Sequence, residues 1–303
     1  MYMLSRLKLD LKRNHQAYLM VLPAVVLIFI FAYIPMYGIL IAFQNFRPAK
    51  GIWGSEWVGL KYFIEFFEGA HTRLLLRNTL IISLYSLVVC FPAPIILALL
   101  LNEVRVSWFK RTIQTISYMP YFISTVVICG MLKSFLAYDG VINEIVKLFG
   151  GSPENYLSNP AYFRSIIVFS GLWQGVGWGS IIYMAALTGI DPTLYEAARI
   201  DGCGRLRQML HVTLPGIVPT IAILLIMDVG SIMSVSSDKI LLLYSPLTYE
   251  TGDVIGTYIY RRGIRGAEYG FTTAIGLFET LVNFLLLILA NEFSRRVSDN
   301  SLW

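Results

Sequence analysis

Residues 195–215 read YEAARIDGCGRLRQMLHVTLP. This is the longest charge-bearing stretch set between two long apolar runs, 165–190 and 212–237. It carries Glu196, Arg199, Asp201, Arg205, Arg207 and His211, two glycines and a closing Leu214-Pro215. What the insert is for depends on what the apolar runs are.

Apolar residues make up 56% of the 303-residue chain and charged residues 14%, with a mean hydropathy of +0.64. Soluble domains carry about 25% charged residues, so the composition points to a bilayer as solvent. A spanning helix needs about 20 consecutive apolar residues. Windows 17–46, 78–102, 112–132 and 165–190 contain no Asp, Glu, Lys or Arg; 212–237 contains only Asp228, and 269–291 only Glu279. Unpaired backbone groups are costly in hydrocarbon, so these windows are expected to be helices. Their length and lack of alternation exclude a β-barrel. The expected fold is an all-α membrane protein of six transmembrane helices, one unit over 1–303, with a polar loop at 191–211 between spans four and five. The first window is too long for a signal-peptide core and no small-residue cleavage pattern follows it, so it reads as a retained helix.

Cys90, Cys129 and Cys203 suggest neither a pairing nor a metal spacing. His15, His71 and His211 are scattered, so no metal site is expected. No basic run interleaves with aromatics, and nothing points to nucleic acid. The first flank holds Arg6, Lys8, Lys12 and Arg13 against Asp10, which favours a cytoplasmic amino terminus. Six spans return the carboxyl terminus, with Arg295 and Arg296, to the same side. The cytoplasmic segments then carry as many Lys and Arg as the outer segments 47–77, 133–164 and 238–268, in far fewer residues. The insert faces the cytoplasm.

Within the insert, Asp191-Pro192 fits an N-cap followed by proline in the first turn. Thr193 with Glu196 fits a capping box equally well. Gly202-Cys203-Gly204 should break that helix, Arg205 to Val212 can form a second short one, and Pro215 opens the next span. Small Ala197 and Ala198 would let another surface approach. A solvated loop is the alternative, although connections are usually shorter, about 4–6 residues.

The order Glu196-Ala197-Ala198, Gly202, Val212, Leu214-Pro215 resembles the "EAA" signature of binding-protein-dependent ABC importer permeases. Val212 stands where that pattern usually has Ile. The stretches at 18–46, 118–127 (YMPYFISTVV), 241–246 (LLLYSP) and 258–263 (YIYRRG), with the Gly140–Asn143 pair, resemble the carbohydrate permeases related to the maltose importer. The resemblance implies a coupling helix at about 193–210 that seats in a cytoplasmic ABC ATPase dimer, through Glu196, Ala197, Ala198, Asp201, Gly202, Leu214 and Pro215. It also implies a second, homologous permease and an extracytoplasmic sugar-binding protein.

No catalytic constellation is present. The chain has no GxxxxGK[ST] phosphate loop, HExxH, CxxC or GxSxG, so it is expected not to be an enzyme and to hold no cofactor, ATP and Mg being bound by the partner ATPase. Sugars stack on aromatic rings and need hydroxyl partners. Residues 171–184, GLWQGVGWGSIIYM, offer both through Trp173, Gln174 and Trp178, with Gly175, Gly177 and Gly179 admitting a close neighbour. Glycine-mediated helix packing explains the same residues. The resemblance places sugar contacts on Gln174, Gly175 and Trp178, and more loosely on Ser231, Ser234 and Ser237 leading to Asp238.

Asp228 and Glu279 are the acids inside spans and are functional candidates by depth, or polar contacts to a partner permease or a water-filled cavity. Arg261, Arg262 and Arg265 cluster on the outer side, to meet a binding protein, lipid headgroups or an acidic oligosaccharide. The function expected is half of the translocation pathway of an ATP-driven oligosaccharide importer. An importer for a non-sugar solute and a self-sufficient secondary transporter are the alternatives.

Overall fold

The computed structural model describes residues 13–298 and Leu302. The expectation built on Arg6, Lys8, Asp10 and Lys12 lies outside the described residues. The described residues are predominantly helical. Its long elements are α1 (His15–Phe43), α3 (Thr72–Glu103), α7 (Pro160–Leu187), α9 (Arg205–Val229) and α12 (Tyr269–Ser298). Shorter helices sit between them: α2 (Lys61–Glu68), α4 (Ser107–Phe122), α5 (Thr125–Phe135), α6 (Val141–Leu148), α8 (Pro192–Ile200), α10 (Ser237–Leu243) and α11 (Ile255–Ile259). A two-stranded antiparallel ribbon pairs Gln44 with Trp57 and Asn45 with Glu56.

Five helices are long and apolar enough to cross a membrane, and a sixth crossing results if α4 and α5 count as one bent span. Those two helices meet at 100°. The bend has a local cause. After the Met119–Phe122 turn with Pro120 near its start, Ile123 and Ser124 are both extended (ψ 131° and 146°). Two extended residues redirect the chain, and the Ser124 hydroxyl caps α5 by accepting from the Val127 amide at 3.4 Å.

The chain also departs from the expected windows around span five. Arg205 does not open a separate helix; α9 runs on through a wide π turn at Met209–Thr213. Pro215 has no N–H for the carbonyl four residues back, and it stands directly after the wide turn, which the Leu214 amide closes on the Met209 carbonyl. At its other end α9 stops at Val229, and turns from Gly230 lead into α10.

α7 is the central post. Asn159 caps it by accepting from the Ala161 amide at 3.0 Å. Its lower half packs on α3 and α9 through Ile95, Ala98, Tyr183, Leu187 and Ile217. Its upper half joins Ile82, Cys129, Ile240, Leu243 and Val254 through Phe163 and Ile167. A third cluster, Phe66, Leu75, Met233, Ile255, Phe271 and Ile275, seats α12. By contrast α1 buries nothing before its last turns, where Ala42 enters the body.

A polar network closes the end of the bundle opposite α8. Asn78 donates to the carbonyls of Glu250 and Asp253, both at 3.1 Å, and accepts from Arg164 Nη2 at 2.8 Å. Asp253, 4% exposed, is held by Arg261 through two bonds, at 2.6 and 3.1 Å, and by the Thr257 hydroxyl at 2.8 Å. These bonds satisfy the irregular backbone at 249–255, which lies between spans.

Candidate functional site

Three groups of residues carry the candidate functions: the polar loop, a stripe on α7, and a cavity between α3, α7 and the α9–α10 turn.

In the loop, Asp191 is the N-cap of α8, its carboxylate accepting from the Thr193 amide at 2.9 Å. That amide bond holds the Asp191 carboxyl below its usual range. α8 ends in a Schellman motif. The Cys203 amide donates to the Ala198 carbonyl at 2.9 Å and the Gly202 amide to the Arg199 carbonyl at 3.0 Å. Gly202 has φ +75°, so the left-handed turn is what calls for glycine there; a Cβ would meet nothing within 4 Å. Leu194, Ala197 and Ile200 follow one another at three-residue spacing and are all exposed, Ile200 by 87%. Ala198 turns inward, while Glu196 and Asp201 face solvent. Two links tie this loop to the span that follows, one from α8 and one from Ile190 just before it. The Tyr195 hydroxyl donates to Thr213 Oγ1 at 3.0 Å, and Gly216 lies against Ile190, where a Cβ would come within 2.8 Å. Leu214 packs beside Leu187 and Ile217, and Pro215 is exposed.

The glycines of α7 divide. Gly177 lies against the Ser117 carbonyl, and a side chain there would collide with α4 backbone; Gly179 lies on the Pro94 ring. Both serve helix packing. Gly175 faces open space. Gln174 donates to the Ile123 carbonyl at 3.3 Å, across the α4–α5 bend. Trp178 stacks face to face on Tyr121, with centroids 4.5 Å apart, and Phe122 meets it edge-on. Gly171, Gln174, Gly175 and Trp178 stand at i, i+3, i+4 and i+7, a single stripe of the helix.

That stripe begins at a cavity of about 370 Å³. Ser83, Ser86 and Cys90 of α3 line it on one side, Val168 and Gly171 of α7 on another. Asp228, Ser231, Ser234, Ser236 and Lys239 close it. Ser234 donates to Glu279 at 2.9 Å and accepts from Asn283 at 3.0 Å; Asn283 also accepts from the Met233 amide at 2.9 Å. Glu279 and Asn283 of α12 therefore fix the serine-bearing turn. Asp228 has no side-chain partner among the described residues. Ser237 points away from the cavity, under Gly256, and Asp238 is exposed outside it.

Of the candidates read from the sequence, Ser231, Ser234 and Asp228 line this cavity, while Lys239, Ser83 and Gly171 were not among them. The apolar run Ile240-Leu241-Leu242-Leu243 directly after Lys239 was the signal available. The outer arginines are mostly spoken for. Arg261 is bound to Asp253, which holds its guanidinium more firmly protonated than usual, and Arg262 pairs with Glu268 at 2.7 Å. Arg265 lies over the Tyr260 ring. Among the described residues no group of three or more His, Cys, Asp or Glu could hold a metal ion.

Residues 90–299 match the family described as binding-protein-dependent transport system inner membrane component. The chain is 42% identical to the polygalacturonan/rhamnogalacturonan transport system permease protein YteP of Bacillus subtilis (strain 168), over 99% of this chain and 94% of that one. It is 41% identical to Protein LplB of the same organism, over 97% and 92%. Among solved structures it is similar to a bacterial ABC transporter involved in the import of the acidic polysaccharide alginate, with TM-score 0.89, 41% identity and coverage of 97% and 99%. It is equally similar to the bacterial alginate ABC transporter in complex with alginate pentasaccharide-bound periplasmic protein, with TM-score 0.90, 40% identity and coverage of 98% and 100%. With a family match over most of its length and relatives this close, the chain belongs to the binding-protein-dependent ABC transport permeases, the inner-membrane components of such systems.

Proposed function

We propose that this chain forms half of the translocation pathway of an ATP-driven importer for acidic oligosaccharides, of the uronate-bearing kind. A homologous permease completes the pathway, and an extracytoplasmic binding protein delivers the sugar. The observation that carries the reading is likeness across nearly the whole chain, at about two residues in five, to permeases whose names state polygalacturonan, rhamnogalacturonan and alginate transport.

The geometry supports each part. The apolar outer face of α8 suits a cleft on an ABC ATPase dimer, which would hold ATP and Mg; this chain carries no phosphate loop. Tyr195 links α8 to the start of α9, and Ile190, just ahead of α8, packs against Gly216, so the loop and that end of α9 would move together. Closure of the ATPase on ATP would tilt α9, whose far end carries Asp228 and leads into the serine-bearing turn of the cavity. A motion at the ATPase thereby reaches the sugar site through one helix. The α7 stripe from Gly171 to Trp178 gives the sugar its path, with the open backbone at Gly175 and the aromatic wall of Trp178, Tyr121 and Phe122. With α8 cytoplasmic and α4–α5 taken as one crossing, six spans put both termini on the cytoplasmic side. The exposed face of α1 then meets lipid or the partner permease.

The test is ATP hydrolysis by the reconstituted importer with its binding protein. Stimulation by trigalacturonate well above that by neutral trisaccharides is expected. Stimulation by neutral sugars alone would refute the acidic assignment, and stimulation by neither would refute the sugar assignment.

A further inference from the structure

Lys239 is the buried cation of the cavity wall. It is 5% exposed, lies on α10 directly after the serine-bearing turn, and has neither an ion-pair nor a side-chain hydrogen-bond partner among the described residues. Its ammonium stands 4.0 Å from where a Cβ on Gly171 would be, at the head of the α7 stripe. Across the same cavity the hydroxyl of Ser83, a residue 9% exposed, is buried without a partner. Native proteins pair buried polar groups; the Ser83 hydroxyl lacks its partner, and the Lys239 ammonium opens onto the cavity with no anion of this chain bound to it. Two unsatisfied groups, one cationic and one hydroxylic, thus face one space of about 370 Å³, within the range of ligand pockets, about 300–1,000 Å³. Asp228, which also lines the cavity, supplies the opposite charge.

We infer that Lys239 binds the carboxylate of a sugar unit inside the cavity, with Ser83 donating to the same unit and Asp228 accepting from its hydroxyls. The inference rests on the acidic-oligosaccharide reading above. The chemistry is selective in both directions. A neutral sugar leaves the ammonium unpaired, and a site built to pair a polar group discriminates strongly against an analogue lacking it. Asp228 repels a carboxylate that enters reversed, so the two charges set the orientation of the unit. The outer arginines are poorer candidates for this task, because Asp253 and Glu268 already neutralise Arg261 and Arg262. Recognition would take place inside the permease as well as on the binding protein.

The experiment compares uptake of trigalacturonate and of its methyl esters in proteoliposomes holding the complete importer, for wild type, Lys239→Met, Lys239→Arg and Ser83→Ala. Lys239→Met keeps an unbranched side chain, one atom shorter, and removes its charge. It is expected to lower trigalacturonate uptake about 10- to 100-fold, the strength of one charge-assisted hydrogen bond. Ester uptake should fall far less than trigalacturonate uptake, and recovery of the complex, measured alongside, separates lost recognition from lost folding. Lys239→Arg should restore most of the loss, and Ser83→Ala should show a smaller, same-sign effect. Unchanged trigalacturonate uptake in Lys239→Met, or an equal loss of both probes, overturns the inference while leaving the acidic reading intact. If wild type itself carries neutral oligosaccharides and no trigalacturonate, the acidic reading falls and the inference with it.

Discussion

The Tyr195 hydroxyl donates to Thr213 Oγ1 at 3.0 Å, joining the exposed helix α8 to the π turn at the start of α9. Thr213 is itself buried, and its other bond, to the Gln208 carbonyl, is long at 3.4 Å. Tyr195→Phe removes the link and leaves the ring. The loss should be about 1 kcal/mol of local stability. It should appear as fewer sugars carried per ATP hydrolysed, with assembly of the complex unchanged. Unaltered stoichiometry would mean that α8 transmits force by another route.

Gly202 closes α8 in the left-handed region. Alanine there costs about 1–2 kcal/mol of backbone strain, while asparagine, which tolerates that region better, costs less. Coupling of hydrolysis to uptake should therefore fall in the order Gly, Asn, Ala. Space is no obstacle, so an equal effect of Asn and Ala would point to a steric requirement of the ATPase surface instead.

Asp191 caps the other end of α8. Its folded-state pKa is depressed, so its contribution is complete above the ordinary carboxylate range and is lost as pH falls through the lowered folded value. Asp191→Asn keeps a capping oxygen and should couple normally at neutral pH, whereas Asp191→Ala should fray the first turn. Amide exchange at Thr193 in the assembled importer reads this directly, faster in the alanine variant alone.

Arg261→Ala would strand the Asp253 carboxylate in the network with Asn78 and Thr257. Removing one partner of a buried pair costs about 3–5 kcal/mol, with the low end expected because the guanidinium is partly exposed. Yield and thermal stability should drop, and uptake of acidic and neutral sugars should drop together. A selective loss of the acidic sugar would make Arg261 a recognition residue.

Gly177→Ala drives a methyl group into the Ser117 carbonyl, and overpacking of this kind costs about 1–3 kcal/mol. Gly175→Ala meets open space. The first variant should lose stability, while the second should keep it and show its effect in uptake alone. Equal destabilisation would mean that the α7 stripe is packed rather than open.

The spans were legible because hydrocarbon demands long uncharged helices, and the windows at 78–102, 165–190 and 269–291 lie almost wholly within α3, α7 and α12. The bend at 123–124 was not legible, since it depends on two extended residues after Pro120 and an uncharged window looks the same straight or bent. Pro215 looked like a helix start and is passed through, since the helix is already formed across the π turn before it. For the loop, the EAA-like residues marked the segment, and the structure adds the link from Tyr195 to Thr213. In the cavity, serines were visible as a cluster, while Lys239 was passed over because its burial arises only when α10 packs into the body.

The central claim is that this chain works as half of an ATP-driven pathway. The most direct measurement is gentle-detergent purification of the tagged chain from its native membrane, with mass spectrometry of what remains bound. A second, related permease and a P-loop ATPase in fixed proportion are the predicted result. Recovery of the chain alone, under conditions where a known importer stays intact, would contradict it and favour a self-sufficient transporter, with Asp228 and Glu279 as the first residues to substitute.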